Sequence, residues 1–249
     1  MDARAPSGLS GSEYDAQWNV LGDFIRYNPG ARHRRRLSVH LLQGLSGREI
    51  LDVGCGRGEM LLTLRQCLPD ATRIVGADIA ADTVQDNGMR MPWAEFAVLD
   101  IVDGRLDAEF DLVTCCEVLE HVADRPRAFA NLAAMVRPGG WLLVTCPTGR
   151  IYETERRFGH VSHQGDDELD TLGRASGFET LRSLNWGWPI YKTMKWATNV
   201  DPDWAMKKFG SGQYSPASRA FNHLLYAANF FNVSTRRGCQ LFRLYRRPL

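Results

Sequence analysis

The chain of 249 residues carries 30 Lys and Arg against 29 Asp and Glu, a net charge of +1. That length suits one domain able to bury roughly 70–75% of its unfolded surface, and the balanced charge offers no overall field to draw in a nucleic acid. Six cysteines without paired spacing, no run of about 18 apolar residues, and an opening MDARAPSGLSGSE without an apolar centre argue against a disulfide framework, a membrane span and a signal peptide, so a cytoplasmic protein with reduced thiols is expected.

Residues 1–13, rich in Gly, Ser, Ala and Pro, read as a mobile tail ahead of a folded domain over 14–249. Helical spacing over 14–45 is broken at Asn28-Pro29-Gly30. Five β-rich runs follow, at 50–53, 73–77, 96–99, 110–115 and 141–146, with helical segments between them. One such helix shows Leu61, Leu64 and Leu68 on one face; another shows Phe129, Leu132, Ala133 and Val136, opened by Asp124 and closed by Arg137-Pro138-Gly139-Gly140. Strand and helix in alternation imply an α/β fold with a parallel sheet covered on both faces. A helix near 166–176 and a strand at 178–184 come next, and the final strand is expected at 239–245. Between them, 185–237 is unusually aromatic, with Trp188, Trp196 and Trp204 among its large side chains.

The stretch ILDVGCGRGEM, 50–60, runs a strand into Gly54, Gly56 and Gly58 and then into a helix. Glycines there let backbone approach a ligand that a Cβ would hold off, and amides at a helix start face it. The spacing G-x-G-x-G differs from the G-x-G-x-x-G of dinucleotide-binding dehydrogenases. The next strand ends at Asp78, where a carboxylate can accept from both hydroxyls of a ribose. The third ends at Asp100-Ile101, suited to an adenine amino group and ring.

With ILDVGCGRGEM, IVGADIA, VLDIVD, FDLVTCCEVLEHV and LAAMVRPGGWLLVTCP in this order, the chain resembles the class I S-adenosylmethionine-dependent methyltransferases. The resemblance implies a Rossmann-like seven-stranded, mostly parallel sheet with helices on both faces and an antiparallel last strand. By position it implies that Asp52, Gly54, Cys55, Gly56 and Gly58 line the methionine moiety of S-adenosylmethionine, Asp78 and Ile79 its ribose, and Asp100 and Ile101 its adenine, with Cys116 at the end of strand four. More loosely, 185–237 looks like the helical acceptor cover, inserted between strands six and seven, of methyltransferases from bacterial polysaccharide and natural-product gene clusters. Tyr14 and Trp18, in a helical lid over 14–45, are candidates to close over the donor.

For the chemistry, Glu117, Glu120 and His121 stand at i, i+3, i+4 just past strand four and would converge if helical. His160 and His163 follow strand five and should reach the same rim. Either His163 or His121 acts as general base on an acceptor hydroxyl, oriented by Glu117, or Glu117, Glu120, His121 and a later histidine hold a divalent metal, as the E-x-x-E-H of small-RNA 2′-O-methyltransferases suggests, or His121 is structural. The leading expectation is methyl transfer to oxygen, ahead of nitrogen or carbon, of a small molecule such as a sugar or natural-product intermediate. A metal-dependent RNA 2′-O-methyltransferase, disfavoured by the neutral charge and by the lack of a recognisable RNA-binding module, and a donor-binding protein without turnover are the alternatives. The basic runs His33–Arg36, Arg156-Arg157, Lys207-Lys208 and Arg236-Arg237 would favour an anionic acceptor if they converge.

Overall fold

The strand β1 (Glu49–Val53) lies inside the sheet because Leu51 and Val53 on one face and Ile50 on the other join the apolar layers, and only Glu49 is not fully buried. In the computed structural model, which describes residues 8–210 and 212–249, β1 pairs in parallel with β2 (Arg73–Asp78) on one side and with β4 (Phe110–Cys116) on the other. β3 (Glu95–Val98), β5 (Val136–Pro147), β6 (Glu179–Trp186) and β7 (Gln240–Arg246) complete a seven-stranded sheet of order β3-β2-β1-β4-β5-β7-β6. β7 runs antiparallel to both of its neighbours, β5 and β6. The expected Rossmann-like architecture is therefore present. Chain order reverses between β1 and β4, and such a switch point leaves a crevice outside the carboxyl ends of the strands.

Two apolar layers sandwich the sheet. On one face α6 (Arg125–Ala134) and α8 (Asp166–Ala175) pack Phe129, Leu132 and Leu169 with Phe178 and Tyr245. On the other, α3 (Pro29–Leu42) and α4 (Glu59–Cys67) bury Leu37, Leu41 and Leu64 against Ile50 and Phe242. α5 (Ala81–Arg90) follows β2, and the short α7 (Glu153–Arg157) follows β5. Three helices, α9 (Ile190–Thr198), α10 (Pro202–Phe209) and α11 (Pro216–Ala228), form the insertion between β6 and β7. No helix among the described residues is long and apolar enough to cross a membrane.

Three boundaries differ from the sequence reading. α1 (Gly11–Val20) starts earlier than expected, because Ser10 and Glu13 form a reciprocal cap in which the Ser10 amide donates to Glu13 Oε2 at 2.8 Å; of the expected tail, residues 1–7 lie outside the described residues. The N-terminal helical stretch breaks twice, at Leu21 before α2 (Gly22–Tyr27) and again at Asn28. Arg137-Pro138-Gly139-Gly140 does not end a helix but lies within β5, where the register with β4 shifts between Phe110 and Leu112. A bulge tolerates a proline without an N–H, and a Cβ at Gly140 would stand 2.9 Å from the Asp111 carbonyl oxygen.

The N-terminal helices and the insertion are tied together above the carboxyl edge of the sheet. Asp23 in α2 accepts from the Tyr214 amide at 2.8 Å and pairs with Arg219 at 3.1 Å. Phe129, fully buried and edge-on to Phe178 and Tyr245, anchors the opposite face. Phe129→Ala should lower unfolding free energy by about 3–5 kcal/mol in urea titration; a loss below about 1 kcal/mol would show that this ring is not part of the packed core.

Candidate active site

The carboxyl ends of β1, β2 and β4 open into a cavity of about 1060 Å³. At its floor the backbone turns after Val53, with φ of 73° at Gly54, 49° at Gly56 and 82° at Gly58, a region costly for residues with a Cβ. The Gly54 and Cys55 amides donate to the Ala77 carbonyl at 2.8 and 3.0 Å. The Gly56 amide donates to Asp78 Oδ2 at 2.7 Å, and its carbonyl accepts from Asn87 Nδ2 at 2.6 Å. A Cβ on Gly56 would meet the Trp18 ring at 2.7 Å. Asp78 Oδ1 accepts from the Ala80 amide at 3.0 Å. A carboxylate offers about four acceptor sites, so lone pairs remain for a ligand. Burial raises the Asp78 pKa against the lowering effect of these amide bonds.

Gly54, Cys55, Gly56, Asp78, Ile79, Asp100, Ile101 and Cys116 all line this cavity. Asp52 and Gly58 do not: Asp52 lies beneath the turn, 1% exposed, accepting from Thr114 Oγ1 at 2.6 Å, and burial pushes its pKa up to about 7. Asp100 accepts from the Val102 amide at 2.9 Å. Two residues outside the sequence reading shape the floor. One is Asn87; the other is Asp15, whose Oδ1 accepts from the Thr83 amide and hydroxyl, both at 2.8 Å, fastening α1 to the start of α5. Neither lies in a motif, and only the fold brings them to the glycine turn. Tyr14 and Trp18, also on α1, line the cavity, and their buried Oη and Nε1 have no partner among the described residues.

The rim carries the polar chemistry, in an arrangement different from the expected one. Glu117 has a φ of 60°, and only a 3₁₀ turn, Leu119–His121, follows it. The i, i+3, i+4 convergence therefore fails. Glu117 lines the cavity but accepts from Thr145 Oγ1 at 2.9 Å and Gln240 Nε2 at 2.5 Å and pairs with Arg34 at 3.2 Å; it does not orient a histidine. Arg34 in turn donates to Tyr191 Oη at 3.0 Å.

Glu120 and His121 instead meet His160, with one donor atom from each lying within 4.8 Å of the others. His160 reaches them because the Val161 amide donates to the Glu120 carbonyl at 2.9 Å and the buried Gln164 to that of Leu119 at 3.2 Å. Both carboxyl oxygens of Glu120 and Nδ1 of His121 are buried without a partner among the described residues. Burial, reinforced by Glu117, drives the Glu120 pKa well up, while burial lowers that of His121 to about 4. Burial also lowers His160, helped by its histidine neighbours.

His163 does not line the cavity; it backs His160. Its Nδ1 lies 3.2 Å from the Gly149 carbonyl oxygen and its Nε2 lies 3.0 Å from His160 Nδ1. A carbonyl only accepts, so in neutral rings Nδ1 of His163 carries the proton, its Nε2 accepts from His160 Nδ1–H, and Nε2 of His160 keeps a free lone pair. A second carboxylate, Glu155, pairs with Lys195 at 2.5 Å and approaches His163 at 3.8 Å. Among the described residues the clusters able to hold a cation are Glu120, His121 and His160, and Glu155, His160 and His163; Glu117 is in neither.

The basic runs do not gather around the cavity. His33 is buried with Nε2 at 2.8 Å from the Tyr226 carbonyl oxygen, Arg157 pairs with Glu153 and Asp203, and Lys207, Lys208, Arg236 and Arg237 are exposed. Arg34 and Arg35 do reach the cavity, facing Glu117 and Glu59. Nor do Trp188 and Trp196 line it; the insertion contributes Tyr191, Met194, Lys195, Phe209 and Tyr214.

A family model described as a methyltransferase domain matches residues 27–188. The ubiquinone biosynthesis O-methyltransferase of Bordetella avium is 33% identical over 109 residues, 41% of this chain and 44% of that protein. The trans-aconitate 2-methyltransferase of Deinococcus radiodurans is 29% identical over 154 residues, 61% of this chain and 56% of that protein. The chain thus spans about half the length of these curated relatives. Among solved structures, the N-methyltransferase NodS of Bradyrhizobium japonicum in complex with S-adenosyl-L-homocysteine superposes with a TM-score of 0.61 at 18% identity, over 96% of this chain and 100% of that one. The phosphoethanolamine N-methyltransferase 2 of Haemonchus contortus in complex with S-adenosyl-L-methionine gives 0.64 at 15% identity, over 97% and 60%. At such identities the structures speak for the fold alone. The family model covers well over half of the chain, from α3 through β6, and the chain belongs to the methyltransferase domain family.

Proposed function

We propose that the protein transfers a methyl group from S-adenosylmethionine to an oxygen of a small molecule with an apolar body. The observation that carries this reading is the glycine turn held by Asp78 at the floor of a cavity whose rim presents His160. The fit to the donor rests on three features: backbone bare of Cβ atoms, the spare lone pairs of the Asp78 carboxylate, and the unpartnered Tyr14 Oη and Trp18 Nε1 of α1, which suit a lid. When bound, the donor supplies an electrophilic methyl on a sulfonium, so alignment with the acceptor oxygen governs the rate. Leu21, Phe24, Ile25, Met194, Met206 and Phe209 offer the acceptor an apolar wall, which suits a ring or prenyl-like body better than a free sugar. His160 Nε2 takes the hydroxyl proton, His163 holds the His160 tautomer, and the Gly149 carbonyl holds that of His163. Six free cysteines fit the reducing cytoplasm.

A second reading has its own support. The unpartnered, buried Glu120 carboxyl beside His121 and His160 is a ligand set of the kind that takes a divalent cation, which would lower the pKa of an acceptor hydroxyl.

Asp78→Asn should weaken S-adenosylmethionine binding in calorimetry by about ten- to a hundredfold, the loss of charge-assisted hydrogen bonds; unchanged affinity would remove the ribose assignment. His160→Gln should lower kcat about 10²- to 10⁴-fold with donor affinity intact. Because burial holds the rings neutral, kcat/KM of the unaltered enzyme should keep its plateau below the ordinary imidazole value of about 6.5, and an acid limb centred there would contradict a buried base. Dialysis against a chelator separates the two readings: activity that persists supports the histidine relay alone, and activity restored only by a divalent ion supports the metal.

A further inference from the structure

The insertion turns its apolar side chains outward. On α11 the one fully buried residue is the polar Asn222, while Ala217, Ala220, Phe221 and Leu224 form an exposed stripe at helical spacing. A helix packed for stability alone shows the reverse. The exposure continues on its neighbours: Trp196, Trp204, Phe221, Leu224, Phe230 and Phe231 are between 46% and 78% exposed. Trp204, Phe209 and Phe221 form one aromatic row, with centroids 5.6 and 6.4 Å apart. Apolar surface of this extent marks an interaction site, and exposed Trp and Phe beside Lys and Arg suit a membrane–water interface.

Charge selects the partner. Residues 185–237 hold seven Lys and Arg and two Asp, a net +5, so the rest of the chain carries −4 against a total of +1. Lys207, Lys208, Arg236 and Arg237 are exposed, and the Arg237 guanidinium lies 5.7 Å from the Trp188 ring centroid. A second copy docked through the same face would set Lys207, Lys208, Arg236 and Arg237 against the same cations, which opposes self-association.

We infer that the outer surface of the α9–α11 insertion docks the protein on an anionic lipid bilayer, with its exposed aromatic side chains in the headgroup region and Lys207, Lys208, Arg236 and Arg237 on the phosphates. The attachment is peripheral and independent of whether the methyl-transfer reading holds. The inner faces of the same helices line the cavity through Met194, Met206, Phe209 and Leu225, so docking places the apolar end of the cavity next to lipid.

The test is co-sedimentation of the full chain with vesicles of equimolar phosphatidylcholine and phosphatidylglycerol, against phosphatidylcholine alone. Binding to the anionic vesicles, weakened by raised salt, is expected. Both Lys207→Glu/Lys208→Glu and Leu224→Glu/Phe231→Glu should reduce it at least about tenfold while leaving donor affinity and thermal midpoint unchanged, since none of these side chains lines the cavity. Absence of binding to anionic vesicles, equal binding to phosphatidylcholine alone, or dimerisation in vesicle-free ultracentrifugation that the same substitutions abolish would overturn the inference.

Discussion

One hydrogen bond organises the site: the Gly56 amide on the Asp78 carboxylate, 2.7 Å long. It ties the turn after β1 to the tip of β2 and fixes a backbone path that only glycine follows cheaply, with φ of 49° at Gly56 itself. The Asn87 amide donates to the carbonyl of the same residue, on the next peptide. Loss of the carboxylate would leave a buried N–H unpaired and release the turn, because an unmade buried hydrogen bond costs more than a made one contributes. Asp15 extends the arrangement by holding α1, with Tyr14 and Trp18, across the mouth of the cavity.

The cavity divides by polarity. Around Glu120, His121 and His160 the walls are polar, with more lone pairs than protons to satisfy them. Toward α2, α9 and α10 they are aliphatic and aromatic. Such a division orients a ligand by its polar end and leaves its body to the apolar wall. The low dielectric that raises the Glu120 pKa also strengthens any charge interaction that forms there.

Much of the donor side could be read from residue order alone. Strand ends followed by glycine or aspartate leave a local trace, and eight of the ten residues proposed to contact the donor line the cavity; the two exceptions, Asp52 and Gly58, sit just beneath or beyond the turn. The acceptor side left a weaker trace, because it depends on backbone conformations that spacing does not encode. A single left-handed residue, Glu117, breaks the helical geometry assumed for CCEVLEHV and redirects its side chain to Arg34 and Gln240. Arg34, Tyr191, Lys195 and Glu155 belong to segments distant in sequence that only the tertiary fold assembles. Trp188 and Trp196, in the stretch that resembles an acceptor cover, point away from the cavity lining. Aromatic content in an insertion signals a contact surface without saying which face is outside.

The central claim is a slot in which the nucleoside of S-adenosylmethionine lies along Gly54–Gly56 with its ribose on Asp78. A crystal structure of the protein with S-adenosylhomocysteine tests it most directly. The account predicts both ribose hydroxyls within hydrogen-bond distance of the Asp78 carboxylate and the adenine beside Asp100 and Ile101; a nucleoside bound elsewhere, or one whose ribose faces away from Asp78, would contradict it.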